Sequence, residues 1–179
     1  MMLFCKHGYE GVSIADLTKA MNIAPPSLYN AFGSKEALYR EALALYQQRP
    51  GFEMLPEFQR DGPIRERVRT LLHDAVCAAT DPDYPAGCMV TAGMLNCGAE
   101  HEALADTMSG LRTNRCTAIA DRLQKAVETG DLPLGTDALA LARYLSAVIQ
   151  GIAIQARDGA TADELFTVVD VAMDRWPSR

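Results

Sequence analysis

The sequence of 179 residues lacks the residue clusters on which metal and disulfide proteins depend. Its five cysteines form no Cys-x-x-Cys pair and have no histidine at the spacing of a zinc site, so we expect no metal and no cofactor. An odd, scattered set of cysteines in a cytoplasmic protein is most simply a set of reduced thiols. The five are Cys5, Cys77, Cys88, Cys97 and Cys116.

The sequence also shows no apolar run of membrane-spanning length and no signal-peptide pattern, so we expect a soluble cytoplasmic protein with no membrane partner. Histidine is scarce: His7, His73 and His101 are far apart in sequence and have no catalytic motif nearby, which argues against an enzyme. The length is sufficient for a substantial core in one or two small domains.

The segment from residue 13 to residue 39 has the pattern of a helix-turn-helix followed by a third helix. Ser13 is a good N-cap, and Asp16 stands at the position that completes a capping box. Apolar residues then recur on one helical face over residues 14–20. Asn22 tolerates the left-handed backbone conformation that the following four-residue break needs. The pattern therefore predicts two short helices joined by a tight turn.

The second of these helices is predicted to run from Pro25 to Phe32, because proline fits a first helical turn and Gly33 fits the position beyond the end. It has only two strong apolar anchors, Leu28 and Phe32. The other face suits phosphates and base edges in a major groove. The alternative is a polar face on a small helix of a bundle.

The predicted DNA contacts fall into two groups. The first group would contact base edges and consists of Pro25, Pro26, Ser27 and Asn30. A proline could pack against a thymine methyl group, and the asparagine could form two hydrogen bonds with adenine. The second group would contact phosphates and consists of Ser13, Tyr29 and Lys35. Phosphate contacts form equally with any DNA sequence.

The residues on both sides of this motif carry a second pattern. Residues 3–13 read LFCKHGYEGVS, residues 28–32 read LYNAF, and residues 32–38 read FGSKEAL. In order, type and spacing they resemble the TetR/AcrR family of bacterial repressors, with its LF…GY…TS…L opening, LYxxF recognition helix and GSKExL linking helix. The match covers about the first 45 residues, and the rest of the chain matches only in helical layout.

The resemblance implies an all-α homodimer with two domains. Residues 1–48 would form a three-helix DNA-binding domain, and residues 49–179 a helical domain for ligand binding and dimerisation. The chain starts inside what the family makes the last turns of its first helix, so we describe that helix as truncated. A complete one would need roughly two more turns. We expect protein that starts at Met1 to bind DNA weakly or not at all for this reason.

The net charge of −6 divides unevenly along the chain. Residues 1–49 hold five basic and four acidic residues, a net +1, and the remainder therefore carries −7. We expect the acidic part to face away from DNA. A net +1 is weak for phosphate neutralisation, which supplies most non-specific affinity for DNA.

The rest of the chain predicts further helices, for a total of about nine and no strand. Residues 50–63 read as a loop or a bent connection. Residues 88–97 read as a short buried helix after a Pro85-Ala86-Gly87-Cys88 lead-in that is similar to one seen in many TetR-like regulators. Helices are also predicted at 34–48, from 63, at 100–129, at 136–158 and at 161–176. The last two are apolar nearly all round, which favours a dimer interface over burial within one chain.

The resemblance places an effector pocket inside the C-terminal helices. Methionine adapts to varied apolar ligands, while a buried Arg112 together with Tyr144 would orient an anionic or carbonyl-bearing compound. The alternative is that the methionines only fill the core and that Arg112 is solvated. The predicted lining residues are Met89, Met94, Met108, Leu111, Arg112, Cys116, Tyr144 and Val148.

The leading hypothesis is a transcriptional repressor that binds a palindromic double-stranded operator as a homodimer and is released by a small-molecule effector. Thiol-based redox or electrophile sensing is an alternative, since Arg112 and Arg115 lie near Cys116 in sequence. Cys88 and Cys97 fit that role less well, because apolar neighbours raise a thiol pKa. A small helical enzyme, or a dimerisation module without DNA binding, is a further alternative.

Overall fold

The protein is all-α over the residues that the computed structural model describes, which are 1–49, 54–95 and 97–177. Within these ranges there are ten α-helices and one 3-10 helix, with no strand. The predicted fold class is therefore confirmed, with one α-helix more than the number expected.

Four short helices form the N-terminal part. Ser13 caps the second of them, since its Oγ accepts the Asp16 N–H at 3.1 Å while the Asp16 carboxylate accepts the Ser13 N–H at 2.9 Å. Asn22 ends that helix with φ 53°, and Gly33 ends the next with φ 77°. These local predictions are confirmed. The four helices are α1 (Met2–His7), α2 (Ile14–Met21), α3 (Pro25–Phe32) and α4 (Lys35–Gln47).

Six more helices complete the described fold. Thr161 and Glu164 form a second capping box, at the start of the last helix. The six are α5 (Met54–Phe58), α6 (Ile64–Ala79), α7 (Met89–Ala92), α8 (Glu102–Glu128), α9 (Ala138–Arg157) and α10 (Ala162–Asp174), and a 3-10 helix at Ala99–His101 precedes α8.

Several predicted boundaries differ from the structure. The predicted loop at 50–63 contains α5, while residues 50–53 lie outside the described residues. The predicted helix at 88–97 is reduced to the single turn of α7. Helix α9 begins after Asp137 rather than at the predicted residue 136, because the Asp137 Oδ1 accepts the Ala140 N–H at 2.9 Å and the Thr136 hydroxyl donates to the Pro133 carbonyl instead.

The apolar core consists of two clusters. The first joins α5, α6, α8, α9 and α10 around such residues as Leu72, Ile119 and Leu145. The second joins α1–α4 to α7 and the start of α8, so that Tyr39 and Met108 belong to one buried group. The N-terminal helices therefore share their core with the C-terminal part of the chain.

Helix α9 is an exception to the prediction of no apolar run of membrane length. By length and composition it is the one described helix able to cross a membrane, with a mean hydropathy of 1.3 over its most apolar window. Its Ala142, Leu145 and Ile152 pack in the first core cluster with residues of α6, α8 and α10. The same composition is what a central helix of a bundle needs.

We predict that Leu28 is the main anchor of α3 in the core, since it is the one fully buried side chain of that helix and Phe32 packs only half-buried against the same cluster. Leu28→Ala should lower the free energy of unfolding by about 2–5 kcal/mol, because it leaves a cavity under the helix. Tyr29→Ala on the same helix is the control, since Tyr29 is 47% exposed, and it should stay within about 0.5 kcal/mol of the parent. Urea unfolding followed by circular dichroism measures both. Equal losses would contradict this anchoring.

Candidate nucleic-acid interface and effector region

Helix α3 presents one face entirely to solvent. Its side chains at positions 25, 26, 27, 29 and 30 are all exposed, while Leu28 is fully buried. Pro25 and Pro26 have no N–H, and the Ser27 N–H bonds to the Ala24 carbonyl at 3.0 Å. The first turn of α3 therefore offers side chains rather than free backbone donors to a ligand. The structure thus brings together the five residues of α3 that the sequence singled out, and their contacts with DNA stay a prediction.

Ser13 is exposed, but its donors are already in use. Its hydroxyl donates to Asp16 at 2.6 Å, and its N–H donates to the same carboxylate at 2.9 Å. These hydrogen bonds, that of the Ser13 hydroxyl first, hold the pKa of the Asp16 carboxyl below its usual value. A phosphate contact by Ser13 would have to replace one of these bonds.

Lys35 lies at the start of α4, packed on an aromatic ring. Its ammonium is 4.2 Å from the centre of the Tyr9 ring, and its partial burial lowers its pKa. The opposite-charge side chain Glu10 is also near, and His101 packs edge-on against Tyr9 with ring centres 4.8 Å apart. The Tyr9 ring therefore holds the Lys35 ammonium in place at the end of the α3–α4 turn, where the sequence predicts a phosphate contact.

The other basic groups of the N-terminal helices differ in exposure. Lys6 and Lys19 are exposed, whereas Arg49 is buried. Arg40 pairs with Glu36 at 2.8 Å and also donates to the Thr107 hydroxyl of α8 at 3.2 Å. Few cations are therefore free for phosphate, in agreement with the small positive charge of this part of the chain.

The predicted effector residues separate into two sets. Met89, Met94 and Met108 are buried in the second core cluster, with the Tyr39 hydroxyl 4.0 Å from the Met108 sulfur, and they line none of the cavities described below. This placement favours the alternative that the methionines fill the core. Leu111 packs against the same cluster.

Arg112 and Cys116 do line a cavity. A groove of about 250 Å³ between α8 and α9 is bounded by both, and an adjoining one of about 300 Å³ shares Arg112. Arg112 is not simply solvated, since its Nη1 donates to the carbonyls of Val90 and Gly93 at 2.8 and 3.0 Å. Tyr144 is 43% exposed, and Val148 packs against the first core cluster.

Helix α9 supplies groove residues that the sequence reasoning missed. Arg143, Ser146 and Gln150 line the 250 Å³ groove opposite Arg112. The Ser146 hydroxyl is buried and has no hydrogen-bond partner within the described part of the protein. The sequence does contain a pattern that indicates a polar stripe on α9, because these polar residues recur at helical spacing within an otherwise apolar segment.

The histidines do not gather into a catalytic site. His73 lies 3.6 Å from the Cys77 sulfur and stacks on Phe166, while His101 lies 3.8 Å from the Glu10 carboxylate. Over the residues that the structure describes, no three His, Cys, Asp or Glu side chains are close enough together to hold a metal ion.

Two family models match most of the chain. Residues 1–42 match the model of bacterial regulatory proteins of the tetR family, and residues 64–168 match that of the tetracyclin repressor-like C-terminal domain. The chain is 31% identical to the HTH-type transcriptional repressor ComR of Escherichia coli K12, over 99% of this chain and 85% of that protein. It is 28% identical to the uncharacterized HTH-type transcriptional regulator YezE of Bacillus subtilis 168, over 96% and 89%.

A solved structure shows the same similarity in three dimensions. It is a cysteine mutant of the TetR family transcriptional regulator CifR complexed with 26-base-pair double-strand operator DNA, with a TM-score of 0.91 and 38% identity. The match covers 98% of this chain and 92% of that one. All of these similar proteins are transcriptional regulators rather than enzymes. The chain therefore belongs to the TetR family of bacterial regulatory proteins and is a DNA-binding transcriptional repressor of the helix-turn-helix type.

Proposed function

We propose that this repressor binds a palindromic operator as a cytoplasmic homodimer and releases it when a small molecule binds the C-terminal part. The DNA-binding part of this proposal rests on the geometry of α3. This helix has one fully buried side chain and a solvent-facing side of prolyl, hydroxyl and amide groups. In a dimer, two copies of α3 would enter successive major grooves roughly 34–36 Å apart.

Side-chain chemistry assigns the contacts on each half-site. Asn30 suits bidentate hydrogen bonding to adenine, and Ser27 reaches either kind of base. Pro25 or Pro26 fits against a thymine methyl group. Tyr29, Lys35 and Ser13 hold phosphates, Ser13 at the cost of its bonds to Asp16.

Helices α9 and α10 supply the dimer surface. Leu139, Tyr144 and Val171 are apolar or aromatic and are 52%, 43% and 66% exposed. The chain exposes 9648 Å², more than the roughly 8,500 Å² expected of a compact monomer of its mass. A four-helix packing of α9 and α10 with their copies would cover these side chains.

The groove between α8 and α9 is the proposed effector site. Arg112 and Arg143 bring two guanidinium groups to it, with Ser146 and Gln150 as further polar groups. We infer an anionic or carbonyl-bearing effector, because guanidinium groups recognise carboxylates with paired hydrogen bonds. Such a compound releases the operator only if it binds the DNA-free conformation more tightly than the DNA-bound one.

The recognition helix is tested by substitution of Asn30. Asn30→Ala should lose about 1–3 kcal/mol of discrimination at one base position, because its paired hydrogen bonds to one base are removed. Lys35→Ala is the comparison and should weaken binding to all DNA sequences alike. Selection of bound sequences from a random pool, followed by anisotropy titrations, measures both. If both variants keep the parent's affinity and its preference for DNA sequence, α3 is not part of the DNA interface.

The dimer surface is tested at Val171, which is 66% exposed. Val171→Lys should give a folded chain with the mass of one copy, 19.5 kDa, because a charge cannot be buried unpaired in the interface. Light scattering after size-exclusion chromatography measures the mass. Val169 is unsuitable for this test since it is buried in the core of its own chain. Thr117→Lys on α8 is the exposed control. A Val171→Lys variant that keeps the parent's dimeric mass would refute this surface.

The effector groove is tested at Arg143, because Arg112 also holds the Val90 and Gly93 carbonyls. In a thermal-shift screen of small apolar carboxylates, compounds that stabilise the protein should bind Arg143→Gln roughly tenfold more weakly, since a charge-assisted hydrogen bond is lost. Arg60→Gln is the control, because that side chain is 71% exposed and lies outside the groove. If the active compounds bind all three proteins equally, the groove is not their site.

A further inference from the structure

A small cavity lies where the end of α4 meets α6, α7, α8 and α9. Its volume is about 20 Å³, which is room for about one water-sized molecule. Small apolar residues form much of its wall, and its polar side chains come from Tyr46, Arg49, Cys88, Thr91 and Arg115. It is a different site from the proposed effector groove, with which it shares no lining residue of α8.

Cys88 stands at the start of α7 in this cavity and is partly exposed. Burial by itself would raise its pKa, but the Thr91 N–H and hydroxyl, Arg115 and the Tyr46 hydroxyl together hold the pKa of the Cys88 thiol below its usual value. By contrast, burial raises the pKa of both Cys5 and Cys77. The expectation that apolar neighbours raise the pKa of Cys88 is therefore wrong, because its spatial neighbours are hydrogen-bond donors and a guanidinium.

Arg49 is a second, independent feature of the same cavity. It is only 6% exposed, and its guanidinium lies 4.3 and 4.8 Å from the ring centres of Tyr46 and Tyr84. Its Nη2 donates to the Ala78 carbonyl at 2.8 Å, whereas Nε and Nη1 have no hydrogen-bond acceptor among the described residues. Unused donors on a buried cation are costly, so this cavity is suited to an incoming oxygen atom that accepts from them.

We propose that Cys88 is a peroxide-reactive thiol, that hydrogen peroxide oxidises it to a sulfenic acid in this cavity, and that oxidation weakens operator binding. The thiolate sulfur attacks one peroxide oxygen and forms an S–O bond. The O–O bond breaks with its electron pair on the other oxygen, which leaves as hydroxide and takes a proton to become water. Sulfur is oxidised by two electrons and the peroxide is reduced by two.

The size and polarity of the cavity select this class of oxidant. A cavity of about 20 Å³ lined by hydrogen-bond donors suits a small polar oxidant such as hydrogen peroxide better than a bulky electrophile. The oxygen added to Cys88 would accept hydrogen bonds from the unused donors of Arg49. Reactive cysteines occur in such electropositive and partly exposed surroundings.

The position of the cavity connects it to DNA binding. The regulatory half of this inference depends on the proposed repressor function. Tyr46 and Arg49 lie at the end of α4, whose other end follows α3 directly. Oxidation removes the negative charge that Arg115 and the Tyr46 hydroxyl stabilise, and it adds an oxygen to a nearly filled space. Both changes alter the packing of α4 against α7, and therefore the placement of α3.

The chemical step is tested on the full chain without any substitution. Reduced protein is exposed to hydrogen peroxide with dimedone, and mass spectrometry measures the sulfenic acid adduct at each cysteine. Cys88 should react roughly tenfold faster than Cys77 in the same molecules, because its surroundings lower the pKa of its thiol whereas burial raises that of Cys77. tert-Butyl hydroperoxide should react at Cys88 more slowly than hydrogen peroxide. If Cys88 reacts no faster than Cys77, the proposed site is refuted.

The regulatory step is tested with Cys88→Ser and, as the matched control, Cys77→Ser. Peroxide should weaken operator binding at least tenfold for the parent and for Cys77→Ser, and dithiothreitol should restore it. Cys88→Ser should bind as the reduced parent does and show no response. A peroxide response in Cys88→Ser would overturn the regulatory role. If reduced protein binds no operator at all, the proposed repressor function fails, while the dimedone result still decides whether Cys88 is the reactive thiol.

Discussion

The packing of the linking helix α4 against α7 and α8 is the contact on which the rest of this protein depends. Tyr39 and Tyr46 of α4 are essentially inaccessible to solvent, and burial raises the pKa of Tyr39 to about 12. The Tyr39 ring packs edge-on against Phe4 and Tyr9, with ring centres 5.0 and 5.2 Å apart. Leu28, the anchor of α3, belongs to the same buried cluster. The placement of the recognition helix is therefore set in part by residues of the C-terminal half.

The two proposed sites approach each other through the turn after α7. Arg112 lines the effector groove and also holds the Val90 and Gly93 carbonyls, which follow Cys88 in the chain. A side chain at Gly93 would clash with the Met108 side chain and the Met89 carbonyl, and Met94 has φ 54°. Both features restrict the backbone conformations that are open to this turn. A ligand that draws Arg112 away would thus disturb the segment that begins at Cys88.

Features that depend on residues a few positions apart were predictable from the sequence. The capping boxes at Ser13 and Thr161 and the left-handed Asn22 arise from hydrogen bonds and sterics within one turn of chain. The polar face of α3 was predictable for the same reason, since eight residues leave a single helical stripe to bury. The family resemblance over the first 45 residues then identified the fold as a whole.

Features that depend on which helices meet were not predictable. Met89 and Met108 have the same sequence pattern whether they face a ligand or the core, and the packing of α7 and α8 against the N-terminal helices places both in the core. The pKa of Cys88 depends on Tyr46 and Arg115, which are distant in sequence. Leu45 of α4 is apolar yet 57% exposed, because α4 turns Leu43 and Tyr46 inward.

The uneven charge of the chain gives the molecule an electric dipole, with a net +1 on residues 1–49 and −7 on the remainder. In the field of a DNA duplex such a body experiences a torque before it makes any contact. Repulsion of the acidic part would turn the α3 side toward the phosphates, while the small positive charge would keep the non-specific attraction weak. The orientation of each encounter would then be set before contact, and residence on non-operator DNA would be short.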